Sequence, residues 1–290
     1  MRKILIGLFM AAGVGAAAFV APQPFRAAGI LVAQPFRAAG ALVTQPFRAA
    51  RAVSAPAPAA QAGYASGNIG YDGQLAFVRL RYATGFGGYG RRQRDPGWFH
   101  DYPTADIHLM KIIEDLTSVT PHTDGSNILS LDDPELMMHP IAYMSEPGFW
   151  APTDAEALGL RNYLEKGGMI IFDDFRGNDW YNLEEQMKRV MPASQFQEID
   201  VTHPLFHSFF DIKDLSFLDS YNARQSEVGH PTYWVLFEDN DPKKRVIAIA
   251  NRDNDLGEYW EYSDTGTDPI DFSNEAYKFG VNYWLYGLTR

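Results

Sequence analysis

The sequence predicts a doubly wound α/β fold, a mainly parallel sheet with helices on both faces, and three observations carry that prediction. The stretch from Thr153 to Gly177, TDAEALGLRNYLEKGGMIIFDDFRG, reads from end to end as one helix, one tight turn and one strand. The strand portion, Met169 to Phe172, is continuously apolar, the pattern of a strand covered on both faces inside a parallel sheet. Strand-like and helix-like segments then alternate along the chain from about residue 75, as βαβ units require.

Each element has a local reason. Thr153 with Glu156 three residues later forms a capping box, and Ala157, Leu160 and Leu164 fall on one helical face. Gly167 closes that helix because glycine takes the left-handed conformation without a Cβ clash. Before it, Leu75 to Tyr82 reads as the first strand, Thr104 to Thr117 as a helix burying Ile107, Met110, Ile112 and Ile113, and Asn127 to Leu131 and Pro140 to Ser145 as further strands. After it come a helix over Leu183 to Met191, ended by Pro192, and a hairpin of Thr232 to Phe237 with Arg245 to Ala250 around an acidic turn. Asn274 to Leu288 closes the chain as a helix aromatic on all sides, hence buried.

The first 70 residues are of another kind. Met1, Arg2 and Lys3 precede an apolar run to Val20 with small-residue sites near Ala21, the layout of a secretory signal over residues 1–21; an uncleaved anchor is the alternative. Residues 22–70 hold three QPFRAA repeats, starting at Gln23, Gln34 and Gln45, and an Ala/Pro linker, a composition expected of a spacer with membrane proximity through its Phe and Arg residues. Residues 71–290 form one expected domain. Residues 1–63 contain 6 of the 25 basic residues and no acid, which leaves 36 acids against 19 bases, a balance of −17. So acidic a domain repels phosphate backbones, which argues against nucleic acid as a partner. No cysteine is present, which removes disulfides, thiolate catalysis and cysteine-ligated metals, and no cofactor fingerprint is found.

Candidate site residues follow from the fold. Open α/β sheets hold ligands at the carboxyl ends of their strands, which is where Asp173 and Asp174 fall. Neighbours on a strand point to opposite faces, so the two are not expected to work as a pair unless the chain turns between them. The loop Thr84 to Pro103 carries four glycines, then Arg91, Arg92 and Arg94, then Trp98, His100 and Asp101; the next helix starts too late for a dinucleotide fingerprint, which leaves an anion-binding or lid loop as one reading and arginines paired with the domain's own excess acid as the other. Asp253, Asp255 and Glu258 lie at the same edge if the strand before them is parallel to the Met169 strand, although the spacing fails as a calcium loop. His203 and His207 have the i, i+4 spacing of zinc ligands, with Pro204 between them and no accompanying Glu, so no metal is assigned. His100 and the other histidines are read as surface or hydrogen-bonding residues.

FVRLRY at Phe77 to Tyr82, GWFHDYPTAD at Gly97 to Asp106, LRNYLEKGGMIIFDDFRG at Leu160 to Gly177, THPLF at Thr202 to Phe206 and NRDNDLGEYWE at Asn251 to Glu261 together resemble the bacterial domain of unknown function 4159 family. That family is grouped with the class I glutamine amidotransferase-like proteins, which implies a flavodoxin-like sheet. In those enzymes a cysteine sits on a sharp turn after a central strand; here Asp173 and Asp174 stand at the corresponding turn, which excludes glutamine hydrolysis by the usual route. The expectation is an exported, periplasmic or extracellular module binding an unknown ligand or envelope protein through Asp173, Asp174, Arg91, Trp98, Asp101, His203, Asp253 and Asp255. The competing expectation is a hydrolase acting on envelope or glycan material through Asp and His at that edge.

Overall fold

The computed structural model describes residues 67–84, 97–216 and 230–290; the signal-like start, the repeats, Arg91 and its neighbouring glycines lie outside the described residues. Among the described residues seven strands form one sheet: β1 (Val78–Arg81), β2 (Asn127–Ser130), β3 (Ile141–Ser145), β4 (Met169–Phe175), β5 (Gln197–Ile199), β6 (Thr232–Phe237) and β7 (Val246–Arg252). Their order is β2-β1-β3-β4-β7-β6-β5. The first five in that order are mutually parallel, and β6 and β5 extend the sheet antiparallel beyond β7. With β7 counted as the fifth strand, the parallel portion has the 2-1-3-4-5 order of flavodoxin-like sheets, whose switch point lies between β1 and β3.

Period-two alternation divides the sheet residues between two cores. Phe77, Ile141, Tyr143, Met169, Ile171 and Ile249 face α1 (Thr104–Leu116), the six-residue α4 (Leu256–Glu261) and α5 (Ile270–Thr289). Val78, Leu80, Met144, Ile170, Phe172 and Ala250 face α2 (Asp154–Glu165) and α3 (Asp179–Val190). Burial on both faces is why β4 reads as an unbroken apolar run. The helix before β4 is built as its sequence directs. Thr153 Oγ1 accepts from the Glu156 N–H, the Glu156 carboxylate accepts from the Thr153 N–H, and Gly167 adopts φ +118° at the far end.

Several boundaries differ from expectation, each for a physical reason. The first strand is shorter because Leu75 makes only an isolated bridge to Pro121 before regular pairing starts at Val78. The α3 helix starts at Asp179, four residues early, because the Asp179 carboxylate accepts the Arg176 N–H and folds the turn out of β4 directly into helix. Its first turn is anchored by Trp180, stacked on Phe175 and packed against Trp234, a long-range contact that helical periodicity does not register. The α4 helix, LGEYWE, is too short to show a period at all. Trp98, Trp150 and Trp260 are all buried; Trp98 lies in a short 3-10 turn (Gly97–Phe99) and Trp260 in α4. Among the described residues no helix is long and apolar enough to cross a membrane.

Candidate functional site

The two aspartates near the end of β4 lie within an irregularity of its pairing with β7. Pairing with β7 is regular to Phe172 opposite Ala250 and resumes at Phe175 opposite Arg252, and within the irregularity Asp174 takes φ +54°. A bulge re-aims the side chain it carries. Asp173 turns toward the α4 side, where its Oδ1 accepts from Asn251 Nδ2 (2.9 Å) and its Oδ2 from Tyr143 Oη (2.9 Å) and the backbone N–H groups of Leu256 (2.9 Å) and Gly257 (3.1 Å). Asn251 is held in turn by the Tyr283 hydroxyl at 2.8 Å. Asp173 is thus a structural clamp joining β3, β4, β7 and the start of α4. Burial raises its pKa to about 6 against the pull of these donors.

Asp174 turns the other way and meets the loop that follows β1. Arg79 builds that loop from below. Wholly buried in β1, its guanidinium forms a bidentate pair with Asp106 of α1 and donates to the carbonyls of Trp98 (3.2 Å) and His100 (2.7 Å). The pair is completed by Ser126, which donates to Asp106 at 2.7 Å, and by the Tyr143 ring 5.0 Å from the guanidinium carbon. Burial opposes the charge on Arg79, but Asp106 outweighs it and keeps the group cationic. The loop so strapped delivers His100 and Asp101 to the edge. His100 Nδ1 donates to Asp174 Oδ2 at 2.8 Å, a bond that raises the imidazole pKa to about 10. Burial would raise Asp174, yet the His100 bond and charge, with Arg176, hold it below the usual carboxylate range.

Two more strand ends close the site. Asp253, directly after β7, takes φ +58°, and its Oδ1 accepts the Gly177 N–H at 2.7 Å. Asp255 caps α4: its Oδ1 accepts the Glu258 N–H, and its Oδ2 pairs with Arg176 at 3.1 Å. After β3, Glu146 takes φ +48°, its carbonyl accepting the Tyr82 hydroxyl at 2.6 Å. Asp101, Glu146, Asp174 and Asp253 therefore all hold left-handed backbone at one edge of one sheet. Such conformations cost energy in non-glycine residues and concentrate at functional sites.

The carboxylates of Asp101, Asp174 and Asp255 each bring an oxygen within 4.8 Å of the others. Glu146 reaches the same range with His100 and Asp174, and Glu258 with His100 and Asp255. Asp101 differs from its neighbours. Its side chain is completely buried, His100 Nδ1 stands 3.3 Å away, and neither carboxylate oxygen accepts a hydrogen bond. Burial pushes its pKa well above the carboxylate range, and Asp255 is pushed the same way for the same first reason, with Asp174 and Asp101 adding repulsion. Gly257 makes room for it, since a Cβ there would collide with Asp101 Oδ2 and the Tyr143 hydroxyl.

Of the residues singled out in the sequence, Asp101, Asp173, Asp174, Asp253 and Asp255 come together at this carboxyl edge. Trp98 is buried beneath it and contributes only its carbonyl to Arg79. His203 is not brought there. It caps a 3-10 turn (Pro204–His207), its Nδ1 accepting the Leu205 N–H, and its ring lies 5.8 Å from that of Phe237, whose partner Val246 begins β7 at the opposite, amino edge. The proline between His203 and His207 starts the turn after His203, which leaves the pair unable to share a helical face; His207 bonds Asp211 and the Val201 carbonyl instead. Arg91 lies outside the described residues. Missed in the sequence were Glu146, Arg176 and the Arg79–Asp106 pair; Glu258, placed at this edge with Asp253 and Asp255, lies there. His100 is half-exposed and hydrogen-bonded as its residue type suggests, but its partner is Asp174.

Compared with known families, residues 76–288 match the model described as Domain of unknown function (DUF4159). No curated protein matches the chain.

Proposed function

We propose that this chain, which belongs to the domain of unknown function 4159 family, is an exported ligand-binding module of the cell envelope. It takes a positively charged group at the carboxyl edge of its sheet. The observation that supports this reading is the convergence of carboxylates there: among the described residues Asp101, Asp174 and Asp255 each bring an oxygen within 4.8 Å of the others, and neither oxygen of Asp101 accepts a hydrogen bond. A converging set of like charges held in unfavourable backbone is disfavoured for the protein alone and is relieved by a cationic ligand. A relation to class I glutamine amidotransferases is supported by the strand order, and in that relation this chain is the non-glutaminase kind, with aspartates at the carboxyl end of β4 and no cysteine in the chain.

The hydrolase reading draws on the His100–Asp174 hydrogen bond, since an aspartate beside a histidine is how many enzymes orient a base. That bond argues against it at neutral pH. An imidazole titrating at about 10 is already protonated and cannot take a proton from water.

The test is a thermal-shift screen of the full chain against amines, guanidinium compounds and metal salts, repeated with Asp174→Asn. Binders that shift the wild type and leave the variant unmoved support the reading; equal shifts for both with every binder would remove the edge from consideration. Export rests on the N-terminal sequence alone, and cell fractionation with N-terminal sequencing of the recovered protein checks it: a cytoplasmic chain starting at Met1 contradicts it.

A further inference from the structure

We infer that Asp101, Asp174 and Asp255 bind one divalent metal ion of the oxygen-preferring class, magnesium, manganese or calcium; this rests on the reading that the edge takes positive charge. The acidic cluster alone would not carry the inference. What carries it is Asp101, a completely buried side chain without a hydrogen bond to either oxygen, aimed at the point where the other two carboxylates converge. Buried carboxylates elsewhere in the same domain are fully supplied, Asp106 by Arg79 and Ser126 and Asp173 by four donors. An isolated buried carboxylate is costly unless it is paired or coordinates a metal. Among the buried carboxylates of the described residues, Asp101 alone accepts no hydrogen bond at either oxygen.

Three features specify a bare ion. Oxygens within 4.8 Å of one another fit around a centre with metal–oxygen distances of about 2.0–2.6 Å. The side chains of the three aspartates are 0–3% exposed, so an organic cation would need a channel for its stem that a bare ion does not. The donors are carboxylate oxygens from the ends of three different elements, with no cysteine thiolate in the chain, a set that suits hard cations. His100 and Arg176 stand on the solvent side, 46% and 29% exposed, and pair with Asp174 and Asp255 from there. Each carboxylate oxygen has two acceptor directions, so these bonds leave capacity for an ion on the inner side.

The experiment is a titration of the chelator-treated full chain with manganese, followed by the electron paramagnetic resonance signal of the free ion, together with melting curves in magnesium, manganese, calcium and spermidine. One saturable site per chain is expected, with a melting temperature raised by the metals. Asp101→Asn is expected to weaken manganese binding on the order of 10–100-fold or more. Gly257→Ala, whose methyl group displaces Asp101 Oδ2 while every carboxylate is kept, is expected to weaken it as well, while the exposed Asp264→Asn leaves it unchanged. Should Asp101→Asn fail to fold, the wild-type stoichiometry and Gly257→Ala decide. Absence of a saturable site, or equal affinity in wild type and both site variants, overturns the inference. If no metal binds but spermidine binds and is lost in Asp174→Asn, the metal falls while cation binding stands; if neither binds, both fall.

Discussion

Beneath the sheet's carboxyl edge, Asp106 and Asp173 are buried carboxylates surrounded by donors; at the edge itself, a few ångströms further along the same strands and loops, Asp101 is as deeply buried and has none. The two regions use the same residue type under the same desolvation. In the lower layer every oxygen is spent on holding elements together: Arg79 and Asp106 tie β1 to α1 and to the loop above, and Asp173 ties β3, β4 and β7 to α4. In the upper layer the backbone is bent into left-handed conformations where acids come together, and neither oxygen of Asp101 accepts a hydrogen bond. The difference teaches that burial does not separate structural from functional acids here. Hydrogen-bond satisfaction does, and the lower layer is the rigid support on which the upper one is presented.

The comparison can be broken first at its base. Asp106→Ala leaves the Arg79 guanidinium buried without a counter-charge, and the loss of one partner of such a pair is expected to cost about 3–5 kcal/mol in urea unfolding. A loss below about 1 kcal/mol would show that the lower layer is not the support. Asp173→Ala strands the Tyr143 hydroxyl, the Asn251 amide and two N–H groups at the start of α4, with an expected cost of about 2–4 kcal/mol. That is less than its four bonds would suggest, because the wild type also bears the desolvation of a carboxylate whose pKa is raised to about 6.

A third effect is a slope with pH. Asp101, Asp173 and Asp255 have folded pKa values above their unfolded ones, so the native state keeps their protons longer, and stability from them is lost as pH rises from about 4 upward. His100 acts at higher pH with the same sign: its contribution is complete below the unfolded value of 6.5 and lost as pH rises through about 10. Its side chain is 46% exposed, so the effect is screened and smaller than the first two. In chelator-treated protein the urea midpoint is expected to fall from pH 5 to pH 10, and His100→Gln to flatten the upper half of that fall. A midpoint that climbs to pH 9 would contradict the ionisation pattern assigned to the upper layer.

Much of this was legible in the sequence, for reasons that stop at identifiable residues. The capping box at Thr153, the glycine at 167 and the apolar run of β4 are local signals, and each corresponds to its element in the structure. The rule that strand ends carry ligands placed Asp173, Asp174, Asp253 and Asp255 at one edge once β7 proved parallel to β4. The roles of Asp173 and Asp174 were not legible, because the irregularity that holds both depends on pairing with a strand some 80 residues away. Arg79 gave no sign of burial, since an alternating apolar and basic run reads as a half-exposed strand, and its partner Asp106 lies on a separate helix. His203 misled through spacing: i, i+4 implies a shared face only on a continuous helix, and Pro204 begins a 3-10 turn there. Glu146 and Arg176 joined the site through loop geometry, which residue type alone does not encode.

The most direct test of the central claim, that Asp101 is kept for a ligand at the expense of stability, is a pair of urea unfolding curves at pH 7.5 on chelator-treated wild type and Asp101→Asn. The amide replaces a buried carboxyl group that accepts no hydrogen bond from the protein, so the variant is expected to be more stable by about 1 kcal/mol, the smallest of these effects and opposite in sign to the first two. A variant less stable than the wild type without ligand would make Asp101 a structural carboxylate like Asp106, and the division between the two layers would fail.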